Sequence, residues 1–527
     1  MRRKPKSAVP EERVRVENDR PVRPERGRVL YWMTAARRLD HNFALQRAVD
    51  WARELGRPLV VLEALRADYP WASDRLHRFV MDGMADHAAR LGGTRVLHHA
   101  YVEPGPGDGA GLLEALAEVS CMVVTDDWPC FFLPRMLRAA AARVDVRLES
   151  VDANGLLPMR ATGRVFGTAR AFRRHLQREL PRHLGRFPAE HPLTGDPLPP
   201  AGPLPDEIRA RWPVADPWLL NVAGNGSADA SLRDGLWRLP IDHRVPPVPF
   251  RGGFEAGRQR VSRFVEEGLD GYAEASRHPD AGTTSGLSPW LHFGHVSAHG
   301  ILRAVAEREG WSLEDLAEEA DGSREGWWGM SPDAEAFLEQ LVTWRELGFN
   351  RCALTGDYDR WESLPEWARE TLEAHAGDPR EHVYDLETFE EARTHDPVWN
   401  AAQRQLRAEG RIHNQLRMLW GKKILEWTRG PREALEVMIR LNDRWAVDGR
   451  DPSSYNGIFW CLGRYDRGWP ERPVYGKVRC MTSGAARRKL RMEKWLERWS
   501  GQEPASVSPR AARARPRARR PGLRRSS

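Results

Sequence analysis

The amino-terminal part of the chain alternates short apolar runs with amphipathic segments. Five β-rich runs lie at 28–33, 58–65, 94–102, 121–127 and 146–151. Between them, apolar residues recur at helical spacing, for example over 42–56. Strands that alternate with helices predict a mainly parallel sheet, so residues 28–160 are expected to form an α/β domain with a Rossmann-like sheet. No GxGxxG motif follows the first strand, so an ordinary dinucleotide site is not predicted.

The helical period dominates from about residue 218 to residue 498. The clearest stretches are 334–350, 398–428 and 431–449. Gly430 followed by Pro431 ends one helix and begins the next. Residues 218–498 are therefore expected to form an all-α domain.

Composition marks the remaining boundaries. Proline and glycine are dense over 187–217, so residues 161–217 are expected to be an interdomain linker. Residues 1–27 carry charge without an apolar segment behind it, which favours a flexible arm over a secretory signal. The arginine- and proline-rich residues 499–527 are predicted to be a disordered tail.

The net charge of +7 comes from the end of the chain. Residues 503–527 contain eight arginines and one glutamate, so the rest of the chain is neutral. The tail either neutralises phosphates of a polyanion or is simply solvated, and the sequence leaves both readings open. A nucleic-acid site on the body must come from local clustering of charge.

Several classes of protein are disfavoured. No run of about 18 apolar residues is present, so no membrane span is predicted. The five cysteines are scattered without a CxxC pair, so neither a disulfide framework nor a structural zinc site is expected, and no metal site is predicted. A reducing cytoplasm is the expected location.

Tryptophan is unusually abundant, with 22 residues against nine tyrosines. In "HNQLRMLWGKKILEW" (413–427), Trp420 and Trp427 lie seven residues apart, which places them on one helix face about 10.5 Å apart along the axis. Core packing is the simpler interpretation of such a pair. A chain of rings that transfers electrons is the alternative.

Two other segments contain candidate chemistry. In "TTSGLSPWLHFGHVSAHG" (283–300), Ser288 is expected to cap a helix that begins at Pro289, and such a helix start can bind phosphate. In "LNDRWAVDGRDPSSYNGIFWCLG" (441–463), Asp448 is expected to pair with Arg417, either in a functional site or in an ordinary structural salt bridge.

These segments together resemble the class II cyclobutane pyrimidine dimer photolyases. The resemblance runs from "YWMTAARRLDHNFAL" near residue 31 to "RPVYGKVRCMTSGAARRKL", which ends at residue 490. It includes "SGLSPWLHFG", "THDPVWNAAQ", "KKILEW", "DGRDP" and "GRYDRGWPERPV". It implies a monomer that binds FAD in the helical domain and uses light and the reduced flavin to split pyrimidine dimers flipped out of double-stranded DNA.

The resemblance also implies roles for individual residues. Trp420, Trp399 and Trp427 match electron-transfer tryptophans, Asn442 matches the asparagine that faces flavin N5, and Arg417 and Asp448 match an ion pair beside the flavin ring. The matches to the segment that wraps the FAD phosphates and ribose are Tyr272, Thr284, Ser285, Leu287 and Ser288. The matches to residues that touch the dimer are Trp344, Met418 and Trp460.

One position departs from the family pattern. The chain has Gln340 after Glu339, where the family has a second glutamate that bonds the dimer. An amide can donate a hydrogen bond but not a carboxyl proton. Repair is therefore expected to be slower, unless Glu339 takes over the role from another helix face.

Gln340 gives some support to a rival interpretation, a cryptochrome-like blue-light photoreceptor with weak or no repair activity. A passive nucleic-acid-binding protein is a second rival, but it leaves the FAD motifs unexplained. By analogy, the α/β domain is expected to hold an antenna chromophore; a deazaflavin is favoured over a folate, and no residue decides between the two.

Overall fold

The protein is described by a computed structural model over residues 5–216 and 235–501. Its six strands are β1 (Val14–Val16), β2 (Arg28–Trp32), β3 (Leu59–Leu65), β4 (Leu97–Val102), β5 (Ser120–Asp126) and β6 (Leu148–Val151). The helices of the α/β region are α1 (Phe43–Leu55), α2 (Asp74–Leu91), α3 (Leu112–Glu118), α4 (Leu133–Arg143), α5 (Ala169–Glu179), α6 (Pro181–Leu184) and α7 (Asp206–Arg211).

The second half of the chain is helical. Its α-helices are α8 (Phe254–Arg263), α9 (Tyr272–Ala275), α10 (Ser288–His292), α11 (Ala298–Glu309), α12 (Pro332–Leu338), α13 (Arg345–Leu354), α14 (Glu366–Ala374), α15 (Leu386–Glu390), α16 (Pro397–Glu409), α17 (Asn414–Trp427), α18 (Pro431–Trp445), α19 (Pro452–Cys461), α20 (Ser483–Lys489) and α21 (Glu493–Trp499). Two π-helical segments, Phe264–Gly268 and Glu339–Trp344, extend α8 and join α12 to α13.

The sheet has the strand order β1-β6-β5-β2-β3-β4. All pairs from β6 to β4 are parallel, so the expected parallel sheet is confirmed. The chain moves from β2 outwards to β4, and then returns to the other side of β2 for β5. The carboxyl ends of β2 and β5 therefore form a topological switch point, where ligands bind in open α/β sheets.

The flexible-arm expectation for residues 1–27 is wrong for the described part of that segment. Val14–Val16 adds an antiparallel strand to the sheet edge, with Val14 opposite Val151. Arg13 is buried, and its guanidinium donates to the carbonyl oxygen of Leu156 at 2.6 Å. Three alternating residues flanked by charges gave too short an apolar pattern to indicate a strand.

The linker expectation for residues 161–217 also needs correction. Helix α5 lies within this range, and Phe172 and Leu176 are buried in a core that they share with helices of the second half. The arginine-rich composition of α5 concealed one narrow apolar face. Residue 217, the residues to 234 and the tail from 502 lie outside the described residues.

The two halves are joined by a buried contact between the loop after β6 and helix α13. The Glu346 carboxylate accepts from the backbone amides of Leu156 at 2.6 Å and Leu157 at 3.0 Å. Nearby, the ring of Trp128 meets the ring of Phe349 edge-on at 5.3 Å. Both contacts hold the carboxyl ends of the sheet against the helical half.

No helix within residues 5–216 and 235–501 combines the length and apolar character that a membrane span requires.

Candidate functional site

Three tryptophans form a continuous row inside the helical half. The rings of Trp420 and Trp399 are parallel, with an interplanar angle of 4° and centroids 6.4 Å apart. The ring of Trp427 lies 6.1 Å from that of Trp399 at 68°. Trp399, from helix α16, thus bridges the two indoles of α17, and all three are buried.

Polar groups fix the orientation of the row. Trp399 Nε1 donates to the carbonyl oxygen of Trp420 at 3.0 Å, and Trp420 Nε1 donates to the side-chain oxygen of Gln403 at 2.9 Å. The outer end of the row faces the exposed His395, whose ring lies 4.8 Å from that of Trp427. The row therefore connects a deep position at Trp420 with the protein surface.

One turn before Trp420, Arg417 faces helix α19. Its guanidinium lies 3.5 Å from the Asp448 carboxylate and donates to Ser454 Oγ at 3.3 Å. The structure thus brings together the predicted pair, but the ion pair is long. Asp448 Oδ1 is buried and accepts no hydrogen bond within the described chain.

Asn442, on α18, is held by its amide group. Its Nδ2 donates to the carbonyl oxygen of Gly449 at 2.8 Å and to the Asp443 carboxyl at 3.2 Å. Because its two amide hydrogens are both engaged, its side-chain oxygen is the atom left to accept a bond from a ligand. Burial raises the pKa of Asp443 to about 7.

The segment 283–288 forms a tight loop before helix α10. Arg260 donates to the carbonyl oxygens of Thr284 at 2.7 Å and Ser285 at 2.6 Å. Gly286 has a positive φ of 63°, and a Cβ there would lie 2.8 Å from Arg411 Nη1. The loop therefore carries two guanidinium groups along one side, a suitable setting for an anion.

The expected cap of α10 is wrong. Ser288 is the first helical residue and is exposed, whereas Leu287 takes the N-cap position without a side-chain bond. Tyr272, the other residue predicted for this region, is buried at the start of α9 and stacks edge-on against Phe264. Its ring is packed in the apolar core that also contains Leu287.

Several buried polar atoms without partners belong to this loop or to residues close in sequence to the starts of α17 and α19. Buried atoms that lack a hydrogen bond among the described residues include Thr283 Oγ1, both ring nitrogens of His413, Ser453 Oγ, Asp448 Oδ1 and Asn456 Nδ2. Buried polar groups are normally bonded, so these atoms are suited to bonding a polar ligand. With the guanidinium groups of Arg260, Arg411 and Arg417 beside them, these residues fit a large anionic cofactor.

A second, more exposed pair of tryptophans lies on the outer side. The rings of Trp344 and Trp460 are stacked 4.6 Å apart at 16°, and both are only partly buried. Met418, on α17, contacts the residue that follows Trp460, since its sulfur is 4.0 Å from the Sγ of Cys461. The three residues predicted to touch a substrate thus come from α17, α19 and the π-helical segment.

The contacts of Glu339 at the start of the π-helical segment decide whether it can bond a substrate in place of Gln340. Both carboxylate oxygens of Glu339 accept from Arg173, and the pair is buried. Glu339 is therefore not free to replace a substrate-binding glutamate. Gln340 is exposed and its amide is available to a ligand.

A cavity of about 480 Å³ lies at the switch point of the sheet. The rings of Trp32, Tyr101 and Trp128 line it, together with the charged side chains of Arg37 and Arg66. Mostly apolar walls with a few charged groups are typical of small-molecule sites. This cavity was not located by sequence patterns, because its walls come from separate strands and loops.

Comparison with known proteins finds relatives that match most of the chain. The chain is 32% identical to the deoxyribodipyrimidine photo-lyase of Methanothermobacter thermautotrophicus, over 90% of this chain and 94% of that protein. It is 33% identical to the enzyme of that name from Arabidopsis thaliana, over 89% of this chain and 88% of the relative. It is 32% identical to the enzyme of that name from Potorous tridactylus, over 88% of this chain and 79% of the relative.

The chain belongs to the deoxyribodipyrimidine photo-lyase family. In fold, this photo-lyase is similar to a bacterial class III photolyase from Agrobacterium tumefaciens, with a TM-score of 0.61, 17% identity and coverage of 90% of this chain and 86% of the other. A search for a matching family model found none.

Several residues of the photo-lyase site were missed by sequence reasoning. Arg260 approaches the loop from a position that no motif singles out, and Gln403 positions Trp420 from a different helix. Only the spacing of Gln403, four residues after Trp399 and so on the same face of α16, was a usable signal.

Proposed function

We propose that this protein repairs cyclobutane pyrimidine dimers in double-stranded DNA with light, and that it does so as a class II photolyase. The observation that carries the proposal is the buried row from Trp420 to Trp427, which begins one turn from Arg417. The motifs that resemble class II enzymes lie on the elements that form this site. The similarity to named photo-lyases supports the reaction class.

We propose that FAD binds among α10, α17, α18 and α19. Arg260 and Arg411 would hold its phosphates beside the loop 283–288, where buried polar atoms lack partners. The reduced flavin supplies the light-driven electron that splits the dimer. The protein has to hold flavin and lesion close, dry and oriented.

The residues around the flavin ring would set its charge. The guanidinium of Arg417 lies beside Asp448 and favours a negative partner in a buried setting. Asn442 would present its side-chain oxygen, since its amide hydrogens bond Gly449 and Asp443. An acceptor in that position favours a protonated nitrogen on the neighbouring ring.

The DNA side would use the stacked pair of Trp344 and Trp460. Their parallel rings lie 4.6 Å apart, so they must separate or shift to admit a flipped pyrimidine pair. Flipping a damaged, poorly stacked base costs less than flipping an intact one, which contributes to selectivity. Gln340, one π-turn before Trp344, would donate an amide hydrogen to the lesion.

Illumination of the purified protein with dimer-containing duplex DNA tests the proposal. We expect light-dependent loss of dimers, measured by mass spectrometry of the digested DNA. Trp420→Phe should slow photoreduction of the flavin but leave repair intact when the flavin is first reduced chemically. Flavin photochemistry without dimer loss would favour the photoreceptor alternative.

We also propose that the cavity at the switch point binds an antenna chromophore, a deazaflavin rather than a folate. Its aromatic walls suit a flat ring, and Arg37 and Arg66 suit an anionic group. Ala139 lies at its exposed edge on α4, so Ala139→Trp should block it. The variant should keep FAD and lose a deazaflavin that the native protein retains; retention of folate instead would reverse the assignment.

A further inference from the structure

A buried cluster of one carboxylate and two imidazoles lies in the α/β domain, behind the wall of the cavity. Glu63 is on β3, His87 on α2 and His98 on β4. Glu63 and His87 are each 0% exposed, and the side chain of His98 is 6% exposed. The cluster plays no part in the flavin site or in the tryptophan row.

The fold brings these residues together by strand register and helix packing. Strand β3 pairs in parallel with β4, and Val61 is opposite His98. Side chains alternate along a strand, so Glu63 and His98 project from the same face of the sheet. Helix α2 packs against β4 and β3 and supplies His87 from that side.

The ligand atoms have the spacing that a small tetrahedral cation requires. Glu63 Oε2 lies 2.8 Å from His87 Nδ1 and 3.3 Å from His98 Nε2, and all three atoms lie within 4.8 Å of one another. Zinc bonds of about 2.0–2.1 Å place tetrahedral ligands roughly 3.3 Å apart. Small side-chain adjustments would bring all three atoms to that spacing.

The second carboxylate oxygen of Glu63 is already held. Arg37 donates to Oε1 at 3.0 Å, which leaves Oε2 directed at the two histidines. Carboxylates that bind metals are commonly fixed by such a second bond. Arg37 also lines the cavity, so it connects the cluster to that site.

We propose that Glu63, His87 and His98 bind one Zn²⁺, with the fourth position open to water or a small ligand. Two imidazoles and one carboxylate are a common zinc ligand set. No metal was expected from the sequence, because the three residues lie 24 and 11 positions apart and match no metal motif. The parallel pairing of β3 and β4, together with the packing of α2 against both strands, brings them together.

Zinc also suits the neighbourhood. Its filled d shell gives it no redox chemistry. A zinc ion would therefore not exchange electrons with a light-absorbing molecule in the adjacent cavity. It would link α2 to β3 and β4 and so keep Arg37 in place on the cavity wall.

The alternative is a hydrogen-bonded cluster in which a proton takes the place of the cation. In that case His87 and Glu63 form an ion pair beside Arg37, and added zinc has no effect. Zinc content and thermal stability separate the two cases, because binding to the folded state alone raises Tm with metal concentration.

The experiment uses the full chain, purified with a chelator and then titrated with Zn²⁺, alongside His98→Asn, Glu63→Gln and His99→Asn. His99 is the matched control, since it is buried on the next residue of β4 and faces the other side of the sheet. Bound zinc is measured by elemental analysis after dialysis. Co²⁺ serves as a spectroscopic probe, because its visible absorption reports tetrahedral coordination.

We expect one tightly bound zinc and a rise in Tm in the native protein and in His99→Asn. His98→Asn and Glu63→Gln each change a direct zinc ligand. Their zinc affinity should therefore fall by more than ~10–100-fold, which is the effect of losing an outer-shell partner. They should also lose the Tm response and the cobalt spectrum. No zinc in the native protein, or equal binding in all four proteins, would overturn the proposal.

Discussion

Two groups of tryptophans in the helical half differ in burial and in what they face. Trp420, Trp399 and Trp427 are buried, and polar atoms or neighbouring rings fix each indole. Trp344 and Trp460 are partly exposed and contact each other face to face. The same residue type is therefore suited to carry charge in one place and to receive a flat ligand in the other.

The difference follows from the elements that carry the rings. The buried row bridges two helices, α16 and α17, whose shared core contains all three indoles. The exposed pair lies where α19 meets a π-helical segment, and both rings are only partly buried. Burial protects a relay from competing reactions, whereas exposure gives a large ligand access.

The largest expected effect comes from breaking the buried row at its centre. Trp399→Phe should slow light-driven reduction of bound FAD by about a thousandfold, equivalent to ~4 kcal/mol of activation free energy, because phenylalanine is much harder to oxidise. Flavin absorbance under continuous blue light with an external reductant measures the rate. Trp445→Phe, a buried tryptophan outside the row, should reduce at the native rate.

The second prediction concerns Asp443, whose carboxyl accepts a hydrogen bond from Asn442. Burial raises its pKa to about 7, so the folded state keeps a proton that the unfolded state has already lost. Stability should therefore fall as pH rises, with about 3 kcal/mol of that fall between pH 5 and pH 7.5 due to this group.

Denaturant unfolding of the native protein and Asp443→Asn at several pH values tests this assignment. The variant keeps the shape of the side chain but cannot ionise, so its free energy of unfolding should change less over the same range. Identical pH profiles for the two proteins would contradict the role given to Asp443.

On the exposed side, Trp460→Ala should weaken binding of dimer-containing DNA by about 2 kcal/mol, the usual contribution of one base stacked on an aromatic side chain. Photoreduction of the flavin should be unchanged. Equilibrium binding to damaged and undamaged duplexes measures the effect. Trp237→Ala removes a more exposed ring outside the site and should leave affinity unaltered.

The smallest effect is expected at Gln340. Gln340→Glu should raise the quantum yield of repair by roughly fivefold at most, since a charged or acidic group makes a hydrogen bond about 1 kcal/mol stronger than an amide does. Dimer loss per absorbed photon measures the yield. An unchanged yield would mean that Gln340 already serves the reaction as well as a carboxyl group.

Local patterns were sufficient for most of the fold. The apolar run at 58–65 predicted β3 to within one residue, because a strand buried on both faces needs continuous apolar side chains. β1 and α5 were missed, since Val14–Val16 is short and the apolar face of α5 is hidden among arginines. Both elements depend on tertiary contacts more than on local preference.

The candidate site was predictable where one helix carries several of its residues. Arg417, Met418 and Trp420 are close in sequence, and the family resemblance assigned each a role. Arg260 and the Glu63 cluster were not found, because the chain reaches them from distant segments. Ser288 was predicted to occupy the N-cap of α10, but Leu287 occupies that position, so the predicted helix start was wrong by one residue.

The π-helical segment Glu339–Trp344 has a consequence for how this site can vary. One surplus residue in a helix rotates everything after it by about 100°. Glu339, the first residue of the segment, accepts hydrogen bonds from Arg173. After the segment, Glu346 accepts from the backbone amides of Leu156 and Leu157. Both ends of the segment are therefore bonded to other parts of the molecule. Deletion of a single residue would rotate one of these two glutamates away from its partner. The segment should therefore tolerate substitutions, such as the one at Gln340, but not insertions or deletions.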